Sequence, residues 1–129
     1  MSLEILPLLP EDAPKVVRVY RRYFEDADWP ETYFPKVLRR RGVCAQKALL
    51  DGAFVGVHLA VQGVHLTGAH APLYHAIALK TAGMNVYTGD MVFVDAAVRG
   101  RGVAARLIAR AKTEMRARGV ELMLAECVV

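Results

Sequence analysis

Apolar residues recur along the N-terminal third of the chain in two spacings, one typical of strands and one typical of helices. The segment from Leu3 to Leu9 predicts a first strand. Pro10-Glu11-Asp12 predicts the start of a helix running to about Glu25, because prolines and acids are favoured in a first helical turn. A second, weaker helix is predicted from Glu31 to Arg41, interrupted by Pro35.

The middle of the chain contains the best short hairpin signal. Alternating apolar positions predict strands from Val43 to Leu50 and from Ala53 to Gln62, and Asp51-Gly52 between them is typical of a two-residue turn. The stretch from Gly63 to Gly89 fits no single element. Within it, Leu73 to Ala82 is compatible with one or two helical turns, whereas the glycines favour loop.

The last third predicts a strand, a crossover helix and a second strand. Met91 to Asp95 is the first strand, Ala96 to Arg101 a connecting loop, Gly102 to Arg118 an amphipathic helix and Val120 to Val129 the final strand. A connection of this length makes a right-handed βαβ unit, so the two strands should be parallel neighbours. The fold class is therefore α+β, with helices packed on a mixed sheet.

Composition limits the chain to a single domain over residues 1–129. The 129 residues are 54% hydrophobic and 23% charged, which supplies a packed core and excludes global disorder. No repeat or linker divides the sequence. Apolar residues nowhere continue over the roughly 18 positions that a membrane helix needs, and the first residues lack the pattern of a secretory signal. We therefore expect a cytoplasmic protein without a membrane partner.

Basic residues are concentrated near the C-terminus. The formal net charge is +4. The segment from Arg99 to Arg118 contains seven basic residues and one acidic residue, Glu114. This excess favours an anionic partner. On the helix itself we expect a solvated surface; its basic residues are Arg106, Arg110, Lys112, Arg116 and Arg118.

Small residues stand where the predicted strand leads into the amphipathic helix. Gly100, Gly102, Ala104 and Ala105 leave backbone amides uncovered at a helix N-terminus, which is an anion site suited to a pyrophosphate. The phosphate loop GxxxxGK[ST] is absent. Gly100-x-Gly102-x-x-Ala105, with Glu126 as a ribose-binding acid, meets the dinucleotide pattern only weakly. A basic, glycine-containing turn without a ligand is the structural alternative.

The segment from Arg99 to Ala104 matches the (Gln/Arg)-x-x-Gly-x-(Gly/Ala) signature of the Gcn5-related N-acetyltransferase (GNAT) superfamily. The chain also resembles that family in the order of its elements. The resemblance implies a GNAT-like acyl-CoA N-acyltransferase fold with acetyl-CoA as co-substrate and no metal. It implies that the signature loop holds the pyrophosphate and a strand edge pairs with the pantetheine arm. The implied coenzyme-binding residues are Val92, Phe93, Val94, Arg99, Gly100, Arg101, Gly102, Val103 and Ala104.

The resemblance implies an enzyme that transfers an acetyl group to a primary amine by direct attack. The acceptor is a small-molecule amine or a protein N-terminus, and a backbone amide near Val94 would stabilise the carbonyl oxygen. Three acids are candidate bases: Glu126, Asp95 and Asp90. Glu126 ranks first, because an acid within an apolar strand should have a raised pKa. The alternative is that Glu126 faces solvent and has no catalytic role.

Histidine and cysteine spacing does not encode a metal site. His58, His65, His70 and His75 match no compact pair of ligands, and the two cysteines, Cys44 and Cys127, lie far apart. Some of the histidines are instead expected to line the acceptor cleft that the resemblance implies.

The chain stops after the predicted fifth strand, where the family continues with a helix and two strands. The implied fold is thus truncated, and no tyrosine follows Tyr87 to protonate the leaving thiolate as in the family. An uncovered apolar edge predicts a homodimer through the fifth strand. Two other functions remain open. One is a coenzyme-binding remnant without catalysis; the other, disfavoured because no aromatic residues interleave the basic cluster, is a nucleic-acid-binding module.

Overall fold

The computed structural model describes residues 2–23, 30–66 and 68–125. These residues form one mixed sheet of five strands in the order β1-β2-β3-β4-β5. The strands are β1 (Leu3–Pro7), β2 (Val43–Leu50), β3 (Ala53–Gln62), β4 (Val86–Val94) and β5 (Leu122–Ala125). The helices are α1 (Ala13–Arg21), α2 (Pro30–Val37), α3 (Tyr74–Lys80) and α4 (Val103–Ala117), with 3-10 turns at Pro10–Asp12, Gly68–Leu73 and Ala96–Val98.

The β2–β3 hairpin has the bounds that the sequence predicts. Asp51 and Gly52 both have positive φ, 50° and 84°, as a type I′ turn requires. Ser2 fixes the turn to the N-terminus, since its amide donates to Asp51 Oδ1 at 2.8 Å. The neighbouring strands from β1 to β4 are antiparallel, and β4 and β5 are parallel, which confirms the predicted βαβ unit.

Helices α1 and α2 cover one face of the sheet. Val16 of α1, Phe34 of α2 and Leu59 of β3 are completely buried in the core between them. Met91 and Phe93 of β4 pack against the same core. These residues form one core cluster between the two helices and the sheet.

Helix α4 covers the opposite face. Its buried stripe, which includes Leu107, Ala111 and Met115, packs on β2, β3 and β4. Arg118, just beyond the helix, donates to the carbonyl of Val43 at 2.6 Å and to the hydroxyl of Tyr87 at 3.4 Å. The end of α4 is thereby fixed to β2 and β4.

Several element bounds differ from the sequence prediction. Helix α1 ends at Arg21, short of the predicted Glu25, which lies outside the described residues, and α2 ends at Val37 rather than Arg41. Strand β4 begins at Val86, well before the predicted Met91. The prediction was wrong there because Gly89 and Asp90 interrupt the alternation at a bulge. The described part of β5 is shorter than the predicted strand.

The segment between β3 and β4 leaves the sheet. Neither the 3-10 turn at Gly68–Leu73 nor α3 contains a buried residue, and Leu79 is 79% exposed. Among the described helices, none has the length and apolar character to cross a membrane.

Candidate active site

Strands β4 and β5 line a cavity together with α4. They pair from Val86 with Leu122 to Gly89 with Ala125, after which β4 continues to Val94 without a described β5 partner. The cavity has a volume of about 320 Å³ and extends beneath α4. The described residues that line it are His58, Gly89, Asp90, Met91, Val92, Ile108, Ala111, Lys112, Met115, Met123 and Ala125.

A β-bulge places a carboxylate just beyond the last described pair of β4 and β5. Ala60 pairs with Gly89 and Leu59 with Met91, so Asp90 is the extra residue on β4. Its side chain reaches the helix pair on the α1/α2 face, where the hydroxyl of Tyr33 donates a hydrogen bond to Asp90 Oδ2. Because Asp90 also lines the cavity, it connects the two faces of the sheet.

Two phenols accompany Asp90. Burial, together with the hydrogen bond to Asp90, raises the pKa of Tyr33. Burial and the nearby charge of Asp90 also raise the pKa of Tyr20. Both rings pack edge-to-face on Phe34, with centroids 5.8 Å and 5.4 Å away for Tyr20 and Tyr33. Both phenols are therefore fixed in place and keep their protons at neutral pH.

The loop between β4 and α4 has the left-handed backbone that its glycines permit. Gly100 has φ +80° and Gly102 has φ +74°, and no described atom lies within 4 Å of a Cβ built on either. Arg106 makes the first helical hydrogen bond, to the carbonyl of Gly102 at 3.1 Å. The amides of Val103 and Ala104 therefore precede the first bonded turn and face outward, as an anion site requires.

Asp95 fixes the start of this loop. Its Oδ1 accepts from the amide of Ala97 at 3.1 Å and from the hydroxyl of Tyr23 at 3.2 Å. Arg22 forms an ion pair with Oδ2, and the Asp95 side chain is only 14% exposed. The Asp95 carboxylate is thus held by groups of the loop and of the chain that follows α1.

Tyr23 contacts the loop at two further places. Its hydroxyl accepts a hydrogen bond from the amide of Ala96. The guanidinium of Arg99 lies over its ring, 5.4 Å from the centroid. Tyr23, the second residue beyond α1, therefore contacts both ends of the short turn at Ala96–Val98.

The β4 residues predicted to pair with the coenzyme, Val92 to Val94, alternate their side chains between the two faces of the sheet. Val92 is 45% exposed and lines the cavity. Phe93 packs edge-to-face on Tyr20 with centroids 5.8 Å apart, and Val94 packs near Leu107 beneath α4. Val103, at the start of α4, is also buried. Phe93, Val94 and Val103 therefore offer backbone groups rather than side chains to a ligand.

Among the four histidines, His58 lies at the cavity. It is 4% exposed, and its Nδ1 lies 3.1 Å from Oε1 of Gln46 on β2. Burial lowers the pKa of His58. His65 instead bonds to the carbonyl of Gln62 at 2.8 Å. Within the described ranges, no group of three or more histidine, cysteine or acidic residues is placed to hold a metal ion.

Asp90 and Val92 both line the cavity, whereas Asp95 and the residues from Arg99 to Ala104 are not among its described lining. Glu126, the first-ranked base, lies outside the described residues. Sequence reasoning missed Tyr23, Tyr33 and Lys112 as site residues. No local motif marks the first two, because they reach the site only through the packing of α1 and α2 on the sheet. Arg99 and Arg101 are exposed on the loop.

Comparison with known proteins agrees with this geometry. A model described as the acetyltransferase (GNAT) family matches residues 11–129. Among curated protein sequences, none matches this chain significantly.

Solved structures of similar fold cover nearly the whole chain. The ribosomal-protein-alanine N-acetyltransferase from Brucella melitensis biovar Abortus 2308 is 20% identical, with TM-score 0.70 over 98% of this chain and 80% of that one. The aminoglycoside N-acetyltransferase AAC(6')-Iy in complex with CoA is 17% identical, with TM-score 0.75 over 98% and 78%. The aminoglycoside 6'-N-acetyltransferase AAC(6')-Ih from Acinetobacter baumannii is 12% identical, with TM-score 0.74 over 99% and 81%.

Proposed function

Since this chain belongs to the GNAT family of acetyltransferases, we propose that it transfers the acetyl group of acetyl-CoA to a primary amine by direct attack on the thioester. The observation that carries the proposal is the cavity lined by β4, β5 and α4, since the same strand β4 leads on to the open N-terminus of α4. One ligand can then place its phosphates at the loop and its arm along β4, with the thioester between the strands.

The coenzyme would bind mainly through backbone groups. The amides from Gly100 to Ala104 face the pyrophosphate, and the exposed guanidinium groups of Arg99 and Arg101 add positive charge beside them. The edge of β4 at Val92 to Val94 pairs with the amides of the pantetheine arm. A β4 amide near Val94 is the proposed donor to the carbonyl oxygen as it gains charge.

We assign the base to Asp90 because, of the candidate acids that the structure describes, it lines the cavity. The Tyr33 hydroxyl orients its carboxylate. An ammonium group entering from the α1/α2 face would lose a proton to Asp90 and then attack as a neutral amine. Asp95 is less suited to this role, since its oxygens are occupied by Arg22, Tyr23 and the Ala97 amide. Glu126 stays a candidate that the experiment below distinguishes.

The acceptor class follows from the charge at Asp90. A carboxylate at the cavity favours a substrate that arrives as a cation, such as a small-molecule amine or a protein N-terminus. Structural neighbours named for aminoglycosides and for ribosomal-protein alanine support both kinds of acceptor. A coenzyme-binding protein without catalysis is the second candidate, and it differs by consuming no thioester.

Calorimetric titration and a turnover assay test the proposal in sequence. Acetyl-CoA and desulfo-CoA should both bind, and a panel of aminoglycosides, polyamines and peptides with free N-termini should release thiol from acetyl-CoA. Binding without thiol release with any amine would favour the remnant. Absence of binding, together with salt-dependent binding of DNA or RNA, would favour the nucleic-acid module.

We further propose a homodimer through β5. Among the described strands, β5 pairs only with β4, and Met123 on it is 38% exposed. Pairing with a second copy would cover this edge. Light scattering at micromolar concentration should give twice the chain mass of 14.2 kDa; a monomer mass alone would contradict the dimer.

A further inference from the structure

His58 is a buried titratable group that lines the cavity and has no role in the reaction as described so far. Gln46 determines which of its nitrogens carries the proton. The Gln46 amide nitrogen donates to Cys44 Sγ at 3.3 Å, and Oε1 faces His58 Nδ1 at 3.1 Å. A carbonyl oxygen can only accept, so Nδ1 bears the hydrogen and Nε2 of the neutral ring bears a lone pair.

Nε2 opens into the cavity between β4 and β5. No described residue forms a hydrogen bond to it. At the same time, among the described residues no fully buried side-chain nitrogen or oxygen lacks a partner. Nε2 must therefore be accessible, and the cavity is the space that the ring lines. A lone pair on an otherwise buried ring is thus presented to whatever occupies the cavity.

His58 and Asp90 approach this cavity from opposite faces of the sheet. His58 pairs with Val92 across β3 and β4 and lies on the α4 face, with Gln46 and Cys44. Asp90 contacts Tyr33 on the α1/α2 face. Lys112 of α4 is the other charged residue that the structure places in the lining. An amine entering beside Asp90 would therefore leave the coenzyme sulfur on the side of His58.

We propose that His58 carries a proton from the attacking nitrogen to the departing coenzyme sulfur. This role rests on the proposed acetyl transfer. After Asp90 has removed one proton from the ammonium group, the nitrogen forms its bond to the carbonyl carbon and becomes positively charged. One proton then passes from this nitrogen to Nε2, while Nδ1–H stays with Gln46. The C–S bond breaks with its electron pair on sulfur, and Nε2 gives the proton to the thiolate.

The environment of His58 suits this transfer. Burial lowers its pKa, so the ring is neutral before the reaction. Its imidazolium is then a stronger acid than a thiol, whose ordinary pKa is about 8.5, and proton transfer to the thiolate is downhill.

Nitrogen NMR of the full chain, labelled at histidine, tests the placement without any variant. At neutral pH, His58 should have the tautomer with hydrogen on Nδ1. Saturation with CoA should shift the Nε2 resonance, whereas desulfo-CoA, which lacks the thiol, should not. Equal shifts with both ligands, or hydrogen on Nε2, would overturn the proposal. If neither ligand binds in the calorimeter, the proposed function has failed first.

Turnover with two acetyl donors tests the proton transfer itself. His58→Gln should lower turnover from acetyl-CoA by about 10²-fold. With the acetyl thioester of an acidic aromatic thiol, which leaves without a proton, the loss should shrink to a few-fold. A similar loss with both donors would assign His58 a structural role and overturn the proposal. His75→Gln is the matched control, since His75 lies exposed on α3 and should leave both rates unchanged.

Discussion

The β2–β3 hairpin and the β4–β5 pair are built from similar apolar residues, but they differ in how fully those residues are buried. The hairpin pairs over its full length, and both of its faces are covered. The described pairing of β4 with β5 covers four residues and borders a cavity. The hairpin supplies buried core residues and, from β3, the imidazole of His58. Strand β4 leaves backbone groups and the carboxylate of Asp90 available to a ligand. Substitutions that separate stability from turnover test this division.

The largest effect is expected at Asp90. Asp90→Asn removes the proposed base from the cavity. It should lower turnover by about 10²- to 10⁴-fold, measured by thiol release from acetyl-CoA. Coenzyme affinity by calorimetry should not change. Asp51→Asn is the control, because Asp51 lies in the hairpin turn, where asparagine is equally accepted. If Glu126→Gln loses turnover and Asp90→Asn does not, the base is Glu126.

Substitutions in the buried core of the β2–β3 hairpin should instead lower the stability of the fold. Leu59 is fully buried, and Leu59→Ala should lower the free energy of unfolding by about 2–5 kcal/mol, measured by urea denaturation. Ile108, in the cavity wall, is 38% exposed, and Ile108→Ala should cost less than about 1 kcal/mol. Equal losses would mean that the cavity wall is as tightly packed as the core.

Glycines at the two ends of α4 sharpen the comparison. Gly102 and Gly119 have φ +74° and +71°, so alanine at either position should cost about 1–2 kcal/mol of stability. Gly102→Ala should also weaken acetyl-CoA binding, because its Cβ would stand at the proposed pyrophosphate site. Gly119→Ala should leave the affinity unchanged. Equal affinities in both variants would contradict the assignment of the loop.

The smallest effect is expected at Tyr23. Tyr23→Phe keeps the ring beneath Arg99 but removes the hydroxyl that bonds to Asp95 and Ala96. Without these hydrogen bonds, the ordered conformation of the loop should be less stable by about 1 kcal/mol. Acetyl-CoA binding, measured by calorimetry, should therefore be about fivefold weaker. Tyr74→Phe, on exposed α3, is the matched control. An unchanged affinity would show that the loop is ordered without Tyr23.

Short sequence motifs predicted those parts of the molecule whose geometry depends on residues a few positions apart in the chain. Asp51-Gly52 fixed the hairpin bounds, and Arg99 to Ala104 located the loop, because turn chemistry and helix starts act over a few positions. The bulge at Asp90 was missed, since it shifts the alternation of β4 and resembles a loop in sequence. The contact of Asp90 with Tyr33 joins residues 57 positions apart, a pairing that a single sequence does not encode.

The segment containing the turn at Gly68–Leu73 and α3 has a consequence for the protein's local dynamics. Because it buries no residue, its amides can exchange with deuterium through local opening that leaves the sheet intact. Amide protection should therefore rise sharply at β4, where pairing with β3 resumes. Because the segment contributes no buried residue to the core, a peptide inserted there should not disturb the fold.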